Sequence, residues 1–167
     1  AAKAAGVPAY GLNAPRDVVR AVAKNGLASL SAADRARLPA VIEESSDTRY
    51  RDFVLKSMTG HGPLTPAQIK NRLEAMAIWN ETMGEKTAAI AASGRVVLVI
   101  AGQGHVLYKA GVPESASRRG AGPVKVLLPW FGAPGKDDLA LADWHRPMEG
   151  QPTAKAQSQN DFWYPLY

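Results

Sequence analysis

The sequence predicts an α/β fold, a mostly parallel sheet of about four strands flanked by helices. Three observations lead there. Val96 to Ala101 is an unbroken apolar run rich in β-branched residues, the pattern of a strand buried on both faces. The run stops at Gly102-Gln103-Gly104, where two glycines allow a tight turn or a close approach of backbone to ligand. Further apolar runs at Val7 to Leu12, Val124 to Leu128 and Leu139 to Trp144 alternate with segments of helical period.

After the first of these runs, Asn13 stands as an N-cap, with Pro15 just inside the helix and Asp17 in its first turn. Val18, Val19, Val22 and Ala23 give that helix an apolar face, and Gly26 ends it. Ser31 caps a shorter helix, with Asp34 at the capping-box position. A third helix runs from about Ser46 to Met58, carrying Tyr50, Phe53, Val54 and Met58 at helical spacing. A glycine–proline loop containing His61 follows.

Thr65 and Pro66 open the longest helix, which reaches about Ala92. Ile69, Leu73, Met76, Asn80, Met83, Thr87 and Ile90 recur at steps of three and four and mark its buried face. Glu74, Glu81 and Glu85 fall nearly opposite and read as a solvated stripe. Asn80 is the polar member of the apolar stripe, and a buried amide needs a partner.

In open parallel sheets, ligands bind outside the carboxyl ends of the strands. His105, directly after the glycine turn, is therefore the best-placed chemical group in the chain. The same arrangement also serves a histidine that only caps or hydrogen-bonds the turn. A dinucleotide site is excluded, because Leu107 stands where G-x-G-x-x-G requires its third glycine. No acidic residue about 20 positions on is available for a ribose hydroxyl.

The composition is that of an ordinary globular domain: 46% hydrophobic and 21% charged over 167 residues, which is one domain's length. The net charge of +5 is spread along the chain with no basic run, so nucleic acid is not implied. With no cysteine there is no disulfide, thiolate zinc site, iron–sulfur cluster or C-x-x-C-H haem attachment. No signal peptide or apolar stretch of membrane-spanning length is present. The first residue is Ala rather than Met, which leads us to expect a processed product or a piece of a longer protein.

Residues 1–145 read as the α/β body and 146–160 as a polar Gly/Pro/Gln/Ser linker, about 50 Å long when extended. An aromatic segment closes the chain at 161–167. Four of the twelve aromatic residues fall there (Phe162, Trp163, Tyr164 and Tyr167), which marks a docking surface for a partner or a second copy.

Five stretches together resemble the ChaN-like haem-binding uptake family of the Tiki superfamily. They are Asn13-Ala14-Pro15-Arg16, Gly26 to Leu30, Trp79-Asn80-Glu81-Thr82-Met83, Ile100 to Val106, and Gly111-Val112-Pro113. The resemblance runs from about Val7 to Asp143, and it implies an α/β protein of bacterial haem or iron acquisition, periplasmic or membrane-associated, often a lipoprotein. The superfamily carries two G-x-x-H motifs; Gly102 to His105 matches the second, and the first has no counterpart here. Gly60-His61 has neither its spacing nor its neighbours. The chain thus resembles the C-terminal portion of the family domain. Asn80 stands where the family usually has Asp, and Gly84 where it usually has Ala.

Three functions of different kinds stand open, the first and third implied by the resemblance and the second by the aromatic segment that the resemblance does not reach. The first is haem or iron binding, with His105 and Tyr108 near one strand end, Gly102 and Gly104 beneath them, and His61, Tyr50, Met83 and Trp79 as further company. Haem iron accepts His, Tyr or Met ligands, whereas Trp79 and Met83 also suit an ordinary helix core. The second is an accessory subunit anchored in a larger assembly through the aromatic segment. The third is a metal-dependent hydrolase, with His105 holding a divalent metal and Glu81 as base; the missing G-x-x-H places it below the other two.

Overall fold

The structure, a computed structural model, describes residues 2–59, 62–130 and 143–147. Its architecture is helical rather than α/β. Five α-helices account for most of the described secondary structure: α1 (Arg16–Asn25), α2 (Ala32–Arg35), α3 (Thr48–Thr59), α4 (Pro66–Ala91) and α5 (Val112–Arg118). The β content is one parallel pair, β1 (Leu127–Trp130) with β2 (Trp144–Pro147), in register Leu127 to Trp144.

The expected four-stranded sheet is therefore corrected at its centre. Residues 96–101 are extended but belong to no sheet, and no backbone hydrogen bond joins them to a neighbour among the described residues. Val96, Leu98 and Ile100 are 101%, 86% and 76% exposed, alternating with half-buried Val97, Val99 and Ala101. The apolar run has strand geometry and strand chemistry, but a sheet needs a second strand, and the described residues supply none. Residues 7–12 are likewise irregular, with Val7 and Tyr10 exposed. Of the two remaining expected strands, the first survives in part as β1. Most of the last lies outside the described residues, and β2 begins at Trp144.

The helices follow the local chemistry closely. Thr65 and Gln68 form a complete capping box at the start of α4, and Pro66 sits where its missing N–H costs nothing. Ser31 accepts from the Asp34 backbone N–H at α2. Pro15, not Asn13, holds the cap position of α1, and no side chain caps it. The Gly26 N–H bonds the Val22 carbonyl to close α1. Val112–Arg118 forms α5, started by Pro113 in its first turn.

Two apolar clusters flank α4. Val18, Val19 and Val22 of α1 pack with Ala75 and Ile78 of α4 and with Leu38. Each such burial is worth about 1.5–3 kcal/mol by area. The second cluster joins Tyr50 and Val54 of α3 and Leu73 of α4 to Leu107, Ala110, Val126 and Leu128. The segment that carries His105 runs along the edge of this second cluster.

The glutamate stripe is also corrected. Glu85 is exposed, but Glu74 accepts the Leu27 N–H at 2.7 Å, and Glu81 is buried against Arg118, Arg119 and Ser115. Arg146 and Pro147, read as the start of the linker, complete β2. Residues 148–167, including the aromatic segment, lie outside the described residues.

Candidate functional site

His105 ends a 3₁₀ turn over Gln103–His105, and a second such turn over Leu107–Lys109 follows. The chain after the apolar run thus passes through two tight turns. Neither Gly102 nor Gly104 has a positive φ, and a Cβ on either would meet neighbours at ordinary contact distance, 3.7 and 3.8 Å. The unusual backbone lies further on. Tyr108 (φ 59°) and Lys109 (φ 60°) are both left-handed, which costs about 1–3 kcal/mol each for such residues. Burial of Leu107 and Ala110, the Lys109–Asp143 ion pair at 2.7 Å and the Arg49 guanidinium 4.8 Å over the Tyr108 ring hold that turn in place.

Three elements converge on His105. Helix α4 brings Asn80 and Trp79, α3 brings Tyr50, and the turn brings the Gly104 carbonyl. His105 Nδ1 lies 2.8 Å from Asn80 Oδ1, Asn80 Nδ2 donates to Tyr50 Oη at 2.9 Å, and Tyr50 O–H donates to the Gly104 carbonyl at 2.7 Å. The Trp79 ring meets the imidazole edge-on, with centroids 5.6 Å apart and planes at 75°. Nε2 makes no hydrogen bond among the described residues.

Burial sets the charge states. Desolvation lowers the His105 pKa, which favours neutral imidazole. Burial pushes the Tyr50 pKa up to about 12, against the lowering effect of its bond from Asn80, so the phenol keeps its hydrogen. The site thus offers a neutral imidazole nitrogen beside an indole edge, chemistry suited to a metal centre such as haem iron.

The depression lined by Ser45, Tyr50, Val54, Met76 and Asn80 has a volume of ≈ 20 Å³. That is room for about one water, far below the roughly 300 Å³ of a small-molecule pocket. His105 does not line this depression.

The structure brings together His105, Trp79, Gly102 and Gly104. Tyr108 is half-buried on the next turn under Arg49. Met83 is a buried core residue of α4, and His61 lies outside the described residues. Glu81 is committed to two arginines, and among the described residues no three His, Cys, Asp or Glu side chains are grouped so as to hold a metal. Asn80 has the partners its place in the apolar stripe demanded. Gly111 has no such signal in composition, yet a Cβ there (φ 64°) would lie 2.6 Å from the His105 carbonyl and 3.0 Å from Asn80 Nδ2.

No curated protein and no solved structure matches the chain. The profile of a haem-binding uptake family, ChaN of the Tiki superfamily, matches residues 1–115. That match covers well over half of the 167 residues and takes in Tyr50, Trp79, Asn80, His105 and Gly111; the chain belongs to the ChaN haem-binding uptake family.

Proposed function

We propose that this chain binds haem, with His105 Nε2 as the iron ligand. The observation that carries the reading is the imidazole itself: neutral by burial, fixed through Nδ1, and without a partner on Nε2 among the described residues. Trp79 would give the porphyrin an aromatic edge, and the left-handed turn at Tyr108 a second contact. Gly102 and Gly104 leave the approach free of side chains. Met83, buried in the core of α4, would be an accessory ligand only if the chain rearranged, and His61 remains a further candidate ligand. Haem supplies an iron that accepts a nitrogen lone pair; the protein supplies orientation and a dry backing for the ring.

A role in uptake outside the cytoplasm goes with this reading. Among the described residues, no helix is long and apolar enough to cross a membrane. A second reading, a subunit held in a larger assembly, is favoured by the exposed apolar run at 96–100. The two are compatible, since an open haem face and an open strand both leave surface for another chain.

Haem titration followed by the Soret band tests the first reading. His105→Ala should weaken binding by about tenfold or more, roughly 1.4 kcal/mol, with the fold retained by circular dichroism. Equal affinity in a folded His105→Ala protein would overturn it.

A further inference from the structure

The hydrogen bonds around His105 have a direction that can be worked out from one end. The Gly104 carbonyl can only accept, and the oxygen 2.7 Å from it belongs to the Tyr50 hydroxyl. A phenol has one hydrogen, so Tyr50 spends it there. Its oxygen must then accept from Asn80, which places Nδ2, not Oδ1, on the Tyr50 side at 2.9 Å. Asn80 Oδ1 is left facing His105 Nδ1 at 2.8 Å. Oxygen there accepts, so Nδ1 carries the hydrogen. A neutral imidazole has one N–H, and the lone pair is therefore on Nε2.

We infer that Asn80 is a positioning residue: anchored through Tyr50 on the Gly104 carbonyl, it locks His105 as the Nδ1–H tautomer and presents Nε2 as a lone-pair donor. Its consequence for ligand binding rests on the haem reading; the tautomer itself does not. Each link comes from a different element, with Tyr50 on α3, Asn80 on α4 and Gly104 with His105 on the turn. Gly111 closes the fourth side, its bare Cα leaving the room that the Asn80 amide occupies. A phenol keeps its hydrogen at neutral pH, so the first link of the chain is in place. A histidine so arranged ligates a Lewis acid and cannot donate through Nε2 to an anionic group.

Asn80 is also neutral, and this sets a second consequence. A carboxylate on Nδ1–H would raise the basicity of the ligating nitrogen and favour the ferric state. An amide does so less. The Asn80→Asp protein should therefore hold haem at a more negative reduction potential than wild type.

The test uses ¹⁵N-labelled ligand-free protein and two-bond ¹H–¹⁵N correlation of the imidazole, assigned by its loss in His105→Ala. Wild type should show a protonated Nδ1 and a pyridine-like Nε2. Asn80→Leu should give a mixture of tautomers, and Asn80→Asp, which keeps an acceptor, should restore the Nδ1–H form. A wild-type spectrum with hydrogen on Nε2 overturns the inference without any Asn80 variant having to fold. So does an Asn80→Leu protein, folded, with an unchanged Nδ1–H tautomer. The two claims fail separately. The expected tautomer with no Soret band on adding haem removes the haem reading and keeps the positioning role. A normal, His105-dependent Soret band with the other tautomer does the reverse.

Discussion

Glu81 of α4 and Arg119, the residue that caps the C-terminus of α5, form an ion pair at 2.6 Å, with the carboxylate only 2% exposed. Arg118 pairs with the other carboxylate oxygen, and Ser115 O–H donates to the same group at 3.1 Å. A buried charge so satisfied need add little net stability; removing Glu81 leaves Arg119 without its carboxylate, while Arg118 keeps Glu43 and Glu114. Both arginines are partly solvated, which reduces the usual cost of about 3–5 kcal/mol. Glu81→Leu should therefore destabilise the chain by about 2–3 kcal/mol in urea or thermal melts, with α5 loosening first. A change within about 0.5 kcal/mol, the range of an ordinary surface position, would show that the network is not coupled to the packing of α4 on α5.

Gly84 lies at the closest approach of the same two helices. A Cβ there would stand 2.2 Å from Ser115 Oγ and 2.9 Å from the Ala116 backbone nitrogen. Two effects oppose one another at this position. Ala is favoured over Gly inside a helix by about 1 kcal/mol, whereas overpacking costs about 1–3 kcal/mol or more. The contact is with backbone as well as side chain, so the clash should win, and Gly84→Ala should lower the melting temperature. Adding Ser115→Gly should recover part of the loss by removing the nearer contact. A raised melting temperature in the single variant would mean that α5 shifts away at little cost.

How far the sequence could be read depended on whether the signal was local. The start of α4 at Thr65 and Pro66, its extent, the Ser31 cap of α2 and the apolar face of α1 are written in residues close together in the chain, and each stands in the structure. The demand for a partner on Asn80 was legible too, as a polar residue in an apolar stripe. The sheet was not. Residues 96–101 carry the composition of a buried strand, but which strand lies beside them is a non-local fact that no window of sequence contains. The burial of Glu81 was hidden for the same reason: its helix position faces outward by period, and only α5, which comes much later in the chain, turns that side inward. Gly111 needed the coordinates of Asn80 and of the His105 carbonyl before its lack of a Cβ meant anything.

The exposed run gives a direct test of that correction. Val96, Leu98 and Ile100 point away from the described body, so replacing one should remove no packing. Leu98→Lys should leave the urea midpoint of this chain within about 0.5 kcal/mol of wild type. It should also reduce concentration-dependent association, because a flat apolar strand with free backbone groups is a template for pairing. Light scattering across a concentration series measures the second effect. A loss of about 2 kcal/mol or more, the cost of a cavity in a packed core, would place Leu98 inside the fold after all.

Asp143 supplies the pH dependence. Burial alone would push its carboxyl up, but the Lys109 ammonium, the Val126 N–H and Lys125 outweigh it and hold the pKa at about 2, against an ordinary 3.8. The carboxylate accepts from the Val126 N–H at 2.8 Å and pairs with Lys109 at 2.7 Å, so it ties the residue just before β1 to the left-handed turn after His105. A depressed carboxyl pKa means that the unfolded chain takes up protons first as the solution is acidified. The stabilisation is therefore complete above pH 3.8 and is lost progressively as the pH falls toward about 2. Asp143→Asn removes the titration. The variant should be less stable than wild type at neutral pH, and the two stability curves should converge as the pH approaches 2. The Val126 amide resonance should report the same event locally, moving with acid in wild type and staying still in the variant. Parallel curves that never converge would show that Asp143 holds the turn by its shape rather than by its charge.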